Sequence, residues 1–380
     1  MKLSDVRGER VLLRADLNVP MEDGVITGTQ RLRAIVPTIK MLLKQSNAVI
    51  IVSHLGRPEG RQKKYSLKPI AQALSSMIGR DIIFSSDVLS KRTSHLASTL
   101  EAGQVLMLEN IRYYPEEEVN DESFSSSLAS LATVYVNDAF SVSHRAHASV
   151  VGVAKRLPSA FGLTMEAELE ALDALLSPKR PSLAIVGGAK ISTKLGVLDN
   201  LARSFDTVFV GGAMAFTLLK AKGLEVGRSK VEDAMLTKAR RLLKHDSIVL
   251  PVDALVARSV SAHAKRQVKR IEDFDDEDIG LDIGPETIAL IEKRIAKAKT
   301  IMWNGPMGLF ELPVFAKGTY GVARAIAASK AHSVVGGGDT VAAIERIRVQ
   351  KRFSHVSTGG GAMLEYLEGT SLPGIKAVRP

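Results

Sequence analysis

Leu183-Ala-Ile-Val-Gly-Gly-Ala-Lys-Ile-Ser-Thr-Lys194 and Ser333-Val-Val-Gly-Gly-Gly-Asp-Thr340 share one plan: a short apolar run, then glycines, then polar residues opening a helical stretch. Such a run followed by a glycine turn and a helix is the unit of a parallel sheet with helices packed on its faces. Working outward, similar runs recur along the chain. Four lie early, at Val11–Ala15, Ala48–Val52, Val105–Leu108 and Val134–Val136. Six lie later, at Leu183–Val186, Val208–Val210, Ile248–Val252, Thr300–Trp303, Ser333–Val335 and His355–Ser357. Amphipathic segments such as Leu32–Leu43, Ile70–Ile78 and Val341–Ile347 separate them. The spacing predicts an α/β protein of two lobes, each a mainly parallel, doubly wound (Rossmann-like) sheet.

In such sheets ligands bind beyond the carboxyl ends of the strands, and there the two halves differ. Early strands run into side chains: Arg14, Asp16 and Asn18; Ser53, His54 and Arg57; Glu109, Asn110 and Arg112; Asn137 and Asp138. Later strands run into Gly187-Gly188, Gly211-Gly212, Gly305, Gly336-Gly-Gly338 and Gly359-Gly-Gly361. Arginine forks fit phosphate and carboxylate, so Arg14, Arg31, Arg57, Arg112 and Arg145 with His54, His144 and His147 suggest a pocket for a small anion. Bare backbone at helix starts suits phosphates and a flat base, so the later half is expected to take a nucleotide. Lys190 and Lys194, four apart where a helix is expected to open, are predicted to share one face. Asp339 suits Mg²⁺ on bound phosphates, the alternative being a helix cap. Glu272–Asp278 is read as a solvated acidic loop and Lys265–Arg270 as a charged surface.

The chain has 380 residues, 45% of them hydrophobic and 24% charged, which excludes a disordered or fibrous protein. It has no cysteine, so thiolate metal sites, disulfides and cysteine nucleophiles are excluded. A formal charge of +10, shared by both halves, suits acidic ligands without choosing among them. No apolar stretch reaches the length of a membrane span, so a cytoplasmic chain is expected. Neither Gly-x-x-x-x-Gly-Lys-Ser/Thr nor an early Gly-x-Gly-x-x-Gly occurs, which argues against a P-loop NTPase and a Rossmann dehydrogenase. A nucleic-acid binder would explain the charge but not the chemistry at the strand ends.

The segments Val11-Leu-Leu-Arg-Ala-Asp-Leu-Asn-Val-Pro20, Ser53-His-Leu-Gly-Arg-Pro58, Glu109-Asn-Ile-Arg112, Asn137-Asp-Ala-Phe140 with His144-Arg-Ala-His-Ala-Ser149, Trp303-Asn-Gly-Pro-Met-Gly-Leu-Phe-Glu311, Gly336–Thr340 and Ser357–Gly361 resemble, in this order, those of the phosphoglycerate kinase family. The likeness spans essentially the whole chain. Many members carry Gly-Thr-Ala where this chain has Ser141-Val-Ser143. The resemblance implies reversible, Mg²⁺-dependent transfer of a phosphoryl group from 1,3-bisphosphoglycerate to ADP, giving 3-phosphoglycerate and ATP, in glycolysis and gluconeogenesis. It implies substrate binding by Asp16, Leu17, Asn18, Arg31, His54, Leu55, Gly56, Arg57, Arg112 and Arg145. Nucleotide binding falls to Gly187, Lys190, Lys194, Gly211, Gly212, Asn304, Pro306, Glu311, Gly337, Gly338, Asp339 and Thr340. Asp339 would meet the metal, and Arg31, Lys194, Gly337 and Gly360 would serve catalysis. Residues 1–165 are expected to form the phosphoglycerate domain and 166–177 an interdomain helix with Leu169, Leu172 and Leu176 as its apolar stripe. Residues 178–364 would form the nucleotide domain and 365–380 a segment folding back on the first. A monomer that needs neither nucleic acid nor membrane is expected.

Overall fold

The computed structural model describes residues 1–379. They pack as two compact units, one of Met1–Leu169 with the chain from Ser371 on, the other of Glu170–Thr370. In the first, strands β1 (Arg10–Ala15), β4 (Ala48–Val52), β5 (Ile82–Ser85), β6 (Val105–Leu108), β7 (Val134–Asp138) and β8 (Ser159–Phe161) form one parallel sheet. The short strands β2 (Met21–Glu22) and β3 (Val25–Ile26) make a separate hairpin. The sheet order is β5-β6-β4-β1-β7-β8. Its central strands are apolar on both faces because helices cover both. Leu13 and Ile51 pack with Ile35 and Ile39 of helix Gln30–Lys44, while their neighbours Leu12 and Ile50 pack with Phe124 and Leu128 of helix Glu122–Ala129.

The second unit holds β9 (Ser182–Val186), β10 (Thr207–Val210), β11 (Ile248–Val249), β15 (Thr300–Asn304), β16 (His332–Gly336) and β17 (His355–Val356) in the order β11-β10-β9-β15-β16-β17. In sheet numbering this is 3-2-1-4-5-6, the order of the dinucleotide-binding fold. It also carries an unanticipated antiparallel sheet of β12 (Asp253–Ala257), β13 (Arg266–Arg270) and β14 (Ile279–Ile283). The expected strand Ile248–Val252 stops at Val249, and Pro251, which has no N–H for a ladder, separates it from β12. The basic run forms the exposed edge strand β13. The acidic run is only partly a solvated loop: Asp278 is buried, and Lys269 Nζ donates to Asp278 at 2.7 Å and Asp275 at 2.8 Å.

Helix Leu163–Leu176 crosses from one unit to the other. Leu169 and Leu172 are buried as expected, but Leu175 replaces Leu176, which is 39% exposed. The start of this helix is fixed by Asp138, whose carboxylate accepts from Met165 N at 2.8 Å and Thr38 Oγ1 at 2.6 Å. Burial pushes that carboxyl up to about 6. The returning segment docks on the first unit through Leu372, through Gly374 N donating to Ser143 O at 2.8 Å, and through Arg379 over the Phe161 ring. A Cβ on Gly374 would lie 2.6 Å from Val150 Cγ1 and 2.9 Å from Ser143 Cα. Gly374→Ala is therefore expected to destabilise the first unit by about 1–3 kcal/mol, as overpacking does. A urea midpoint equal to wild type would show that this segment is not a packed part of the unit.

Candidate active site

Each large sheet reverses direction at one strand, β1 in the first unit and β9 in the second, and each reversal opens a crevice at the carboxyl ends. In the first unit Asp16, just beyond β1, is tied on both oxygens. Oδ1 accepts from Arg31 at 2.8 Å and from Asn18 N, and Oδ2 accepts from Ser141 Oγ. Ser141 thus gives the unusual Ser-Val-Ser segment a direct bond to this pocket. Arg31 also donates to Asn18 O at 3.1 Å, and Asn18 Oδ1 accepts from Gly56 N at 2.9 Å. Arg112 donates to Gly56 O at 2.6 Å, so the segments after β1, β4 and β6 are knitted together. Arg145 Nε donates to His144 Nε2 at 3.2 Å, and Arg57 is exposed.

The pocket is electrostatically unbalanced. Burial and the neighbouring charges of Arg14 and Arg145 pull the Arg112 guanidinium down to about 10. Burial, with Arg112, Arg14 and Arg145, pulls His147 down to about 4. Cations that disfavour one another in this way mark a place where an anion is favoured. Some expected residues do other work. Leu17 and Leu55 are buried, and Leu17 contributes to the core. Glu109 and Asn110 spend their polar atoms on the loops: Glu109 accepts from Leu67 N and Ser66 Oγ, and Asn110 Nδ2 donates to Leu55 O and Tyr65 O. Arg14 is wholly buried, as a lone strand-end arginine on a surface would not be.

In the second unit the expected lysine pair does not form. The helix opens only at Leu195, Lys190 lies in the preceding loop, and Lys194 turns back over the strand ends. Its Nζ donates to Gly187 O at 2.7 Å and Asn304 Oδ1 at 2.6 Å, spanning the gap between β9 and β15. Burial pulls this ammonium down to about 8, against the charge of Asp339, which favours it. The same bond orients the Asn304 amide, leaving its buried Nδ2 donor without a partner. Nearby Gly337, at φ +94, is the residue before helix Gly338–Arg346. Asp339 therefore sits exposed inside the first turn and is not the cap. Thr340 is buried and accepts from Gly305 N at 2.6 Å, so its hydroxyl shapes the loop. Gly211 and Gly212 leave room for Met307 and for Gly188 and Pro306, which a Cβ would strike. Gly360, at φ +53, precedes the short helix Gly361–Leu367.

A cleft of about 420 Å³ runs beside this cradle, with Gly188, Gly212, Pro306, Glu311 and Asp339 in its lining. The same lining includes Phe216, Gly280, Leu281 and Leu309, residues absent from the expected site. A Cβ on Gly280 would meet the Phe216 ring, so the glycine keeps this part of the lining flat. The clue in the sequence was a second alternating strand, β14, obscured by the acidic run before it. The buried Asp282 carboxyl in the same lining is pushed up by burial to about 7.

The model of the family described as "Phosphoglycerate kinase" matches residues 1–370. The chain belongs to the phosphoglycerate kinase family. It is 48% identical over 382 residues to the phosphoglycerate kinase of Dictyoglomus turgidum, covering 99% of this chain and 96% of that one. It is 49% identical over 380 residues to that of Rubrobacter xylanophilus, with the same coverage. The solved phosphoglycerate kinase of Coxiella burnetii superposes with a TM-score of 0.90 at 40% identity, covering 98% of this chain and 97% of the other. Phosphoglycerate kinases carry out glycolytic phosphoryl transfer, so this chain is an enzyme, a kinase whose acceptor is a carboxyl group.

The Lys194 ammonium is expected to titrate near pH 8 by NMR of labelled lysine, a signal lost in Lys194→Met. Asp339→Asn removes the charge that favours the ammonium and is expected to move the titration lower. An unshifted titration would show that the two groups do not interact.

Proposed function

We propose that the first unit binds 3-phosphoglycerate or 1,3-bisphosphoglycerate through Asp16, Asn18, Arg31, His54, Arg57, Arg112 and Arg145, and that the second binds ADP or ATP. The observation that carries this division is the contrast between the crevices: mutually repelling guanidiniums in one, a glycine cradle with an unpartnered Asn304 donor and a half-buried lysine in the other. On this reading Gly187, Gly211, Gly212, Pro306, Gly337 and Gly338 give the phosphates and base close access, Glu311 meets the ribose, and Lys190 waits at the loop. Leu17, Leu55, Gly56 and Thr340 act as framework. Gly360, with Gly337, offers main-chain N–H groups.

Asp339 suits Mg²⁺. That ion usually takes one or two carboxylates together with substrate phosphates and water, and Asp339 is exposed beside the cradle, its side chain making no hydrogen bond or ion pair among the described residues. When bound, the ion would neutralise phosphate charge. The protein's share is alignment and charge stabilisation, because a phosphoryl group in flight needs little covalent help. No general base is needed, since the attacking carboxylate or phosphate oxygen is already unprotonated at neutral pH. Direct transfer requires the two ligands to meet and water to leave. Each unit encloses its own core, which fits a monomer, and we place that monomer in the cytoplasm, working without nucleic acid or membrane.

A coupled assay of ATP formation from 1,3-bisphosphoglycerate and ADP tests the function directly, and wild-type protein without activity would end it. Arg31→Lys tests the most specific role. Lysine keeps the charge and can keep Asp16, but it loses the fork that bridges two oxygens of the moving group. Loss of such a preorganised donor is expected to lower kcat by about 10²–10³ with KM little changed. Arg33→Lys, on the same helix, serves as control. Equal, near-normal kcat in both variants would remove Arg31 from the catalytic set.

A further inference from the structure

Behind the anion pocket of the first unit lies a buried polar chain that the reaction as described does not use. Glu117, from helix Pro115–Glu118, is 1% exposed. Its Oε2 accepts from Ser149 N at 2.8 Å and its Oε1 accepts from Ser149 Oγ at 2.6 Å. Tyr135 O–H donates to Ser149 O at 2.8 Å, fixing the same residue from the strand side. Arg14 Nε donates to Ser149 Oγ at 2.9 Å, and Arg14 NH1 donates to Ala15 O at 2.6 Å. The remaining arm, NH2, lies 3.1 Å from His54 Nδ1.

With Glu117 ionised, the direction of every proton in this chain follows. A guanidinium can only donate, so Ser149 Oγ and His54 Nδ1 must both accept from Arg14. The single Ser149 hydroxyl proton therefore goes to Glu117, and both Glu117 oxygens act as acceptors. With Nδ1 accepting, a neutral His54 carries its proton on Nε2. His54 is 3% exposed, and no protein partner is recorded for Nε2 among the described residues. We propose that Glu117 and Ser149 are positioning residues which, acting through Arg14, hold His54 as a neutral imidazole whose Nε2–H donates to the anion bound in the first unit. This deepens the phosphoglycerate reading of that pocket and rests on it.

The charged groups around the ring act in the same sense. Burial, then Arg14 from β1, Arg112 from the turn after β6, Arg31 from helix Gln30–Lys44, and His147 all disfavour a second proton on His54. Glu117 is the acid of this cluster. Burial pushes its carboxyl up, while Arg14 and the two Ser149 bonds favour its ionised form. Glu117 and Arg14 are thus a buried pair bridged by a hydroxyl, with Arg112 also favouring the carboxylate and His147 Nδ1 3.7 Å from Glu117 Oε1. Removal of the Glu117 charge leaves Arg14 without its bridged carboxylate.

The test is the long-range ¹H–¹⁵N spectrum of the histidine-labelled full chain, with the His54 signals assigned by their loss in His54→Gln. Wild type is expected to show Nδ1 bare and Nε2 protonated, the ring staying neutral at pH 6, where an ordinary histidine is largely charged. 3-Phosphoglycerate is expected to shift the Nε2–H signal. Ser149→Ala, which removes one oxygen, is expected to mix the tautomers and raise KM for 3-phosphoglycerate roughly tenfold with a smaller change in kcat. Ser149→Thr, which keeps the hydroxyl, is expected to restore both. Glu117→Gln should act like Ser149→Ala. If it does not fold, the wild-type spectrum and the Ser149 pair still decide. A bare Nε2 or a charged ring at pH 6 in wild type overturns the proposal, as does Ser149→Ala with unchanged tautomer and KM. A protonated Nε2 that 3-phosphoglycerate leaves unmoved also overturns it, while activity in the coupled assay keeps the kinase reading intact.

Discussion

A parallel sheet that grows in both directions from an internal strand cannot close its loops over the point of reversal, and both units depend on this constraint. In the first, β1 lies between β4 and β7, and Asp16, Ser53 and Arg14 stitch the neighbouring strand ends together: Ser53 Oγ donates to Ala15 O and accepts from Leu17 N. In the second, β9 lies between β10 and β15, and Lys194 bridges from Gly187 to Asn304 across the gap. The crevices are where the fold leaves polar groups without strand partners. Their contents then decide the chemistry, since the sheets themselves are alike.

Those contents are held at some cost. Arg14 is buried with no carboxylate of the described residues in direct contact, Arg112 lies beside other guanidiniums, and Lys194 is desolvated against carbonyl oxygens. None of these placements maximises the stability of an empty protein. On the proposed reading, a bound anion would supply the charge that Arg112 and Lys194 lack, while Arg14 is balanced through Ser149 by Glu117.

Most of the framework was legible because its signals are short-range. All ten apolar runs are strands in whole or in part, and the helices around Leu32–Leu43 and Ile70–Ile78 follow their apolar period. The antiparallel sheet was not legible, since β13 is a run of charge whose Lys269 is neutralised by acids that look solvated in sequence. β8, three residues long, is too short to show a period. The site residues were recognisable by type and place, but not by direction. Lys190 and Lys194 part because the chain makes a turn before the helix opens, and Arg14 points inward while Arg57 points out. Burial and hydrogen-bond partners arise from long-range packing, which spacing does not encode.

The two crevices also differ in how protons reach them. In the first unit burial, with the neighbouring guanidiniums, keeps His147 near 4 and His54 well below its ordinary value, so neither histidine carries charge at neutral pH. Charge there comes from arginine, which stays protonated throughout the range in which the protein works. The histidines contribute hydrogen bonds of fixed direction, and the field at the anion pocket is therefore insensitive to mild acid. In the second unit the bridging cation is a lysine near 8, whose charged form suits phosphates and is lost as pH rises through that value. An arginine could not sit between Gly187 O and Asn304 Oδ1 as a single point of charge, since its planar fork needs a broader set of acceptors. The close approach of β9 and β15 selects lysine, and with lysine comes sensitivity to alkali that the arginine pocket lacks.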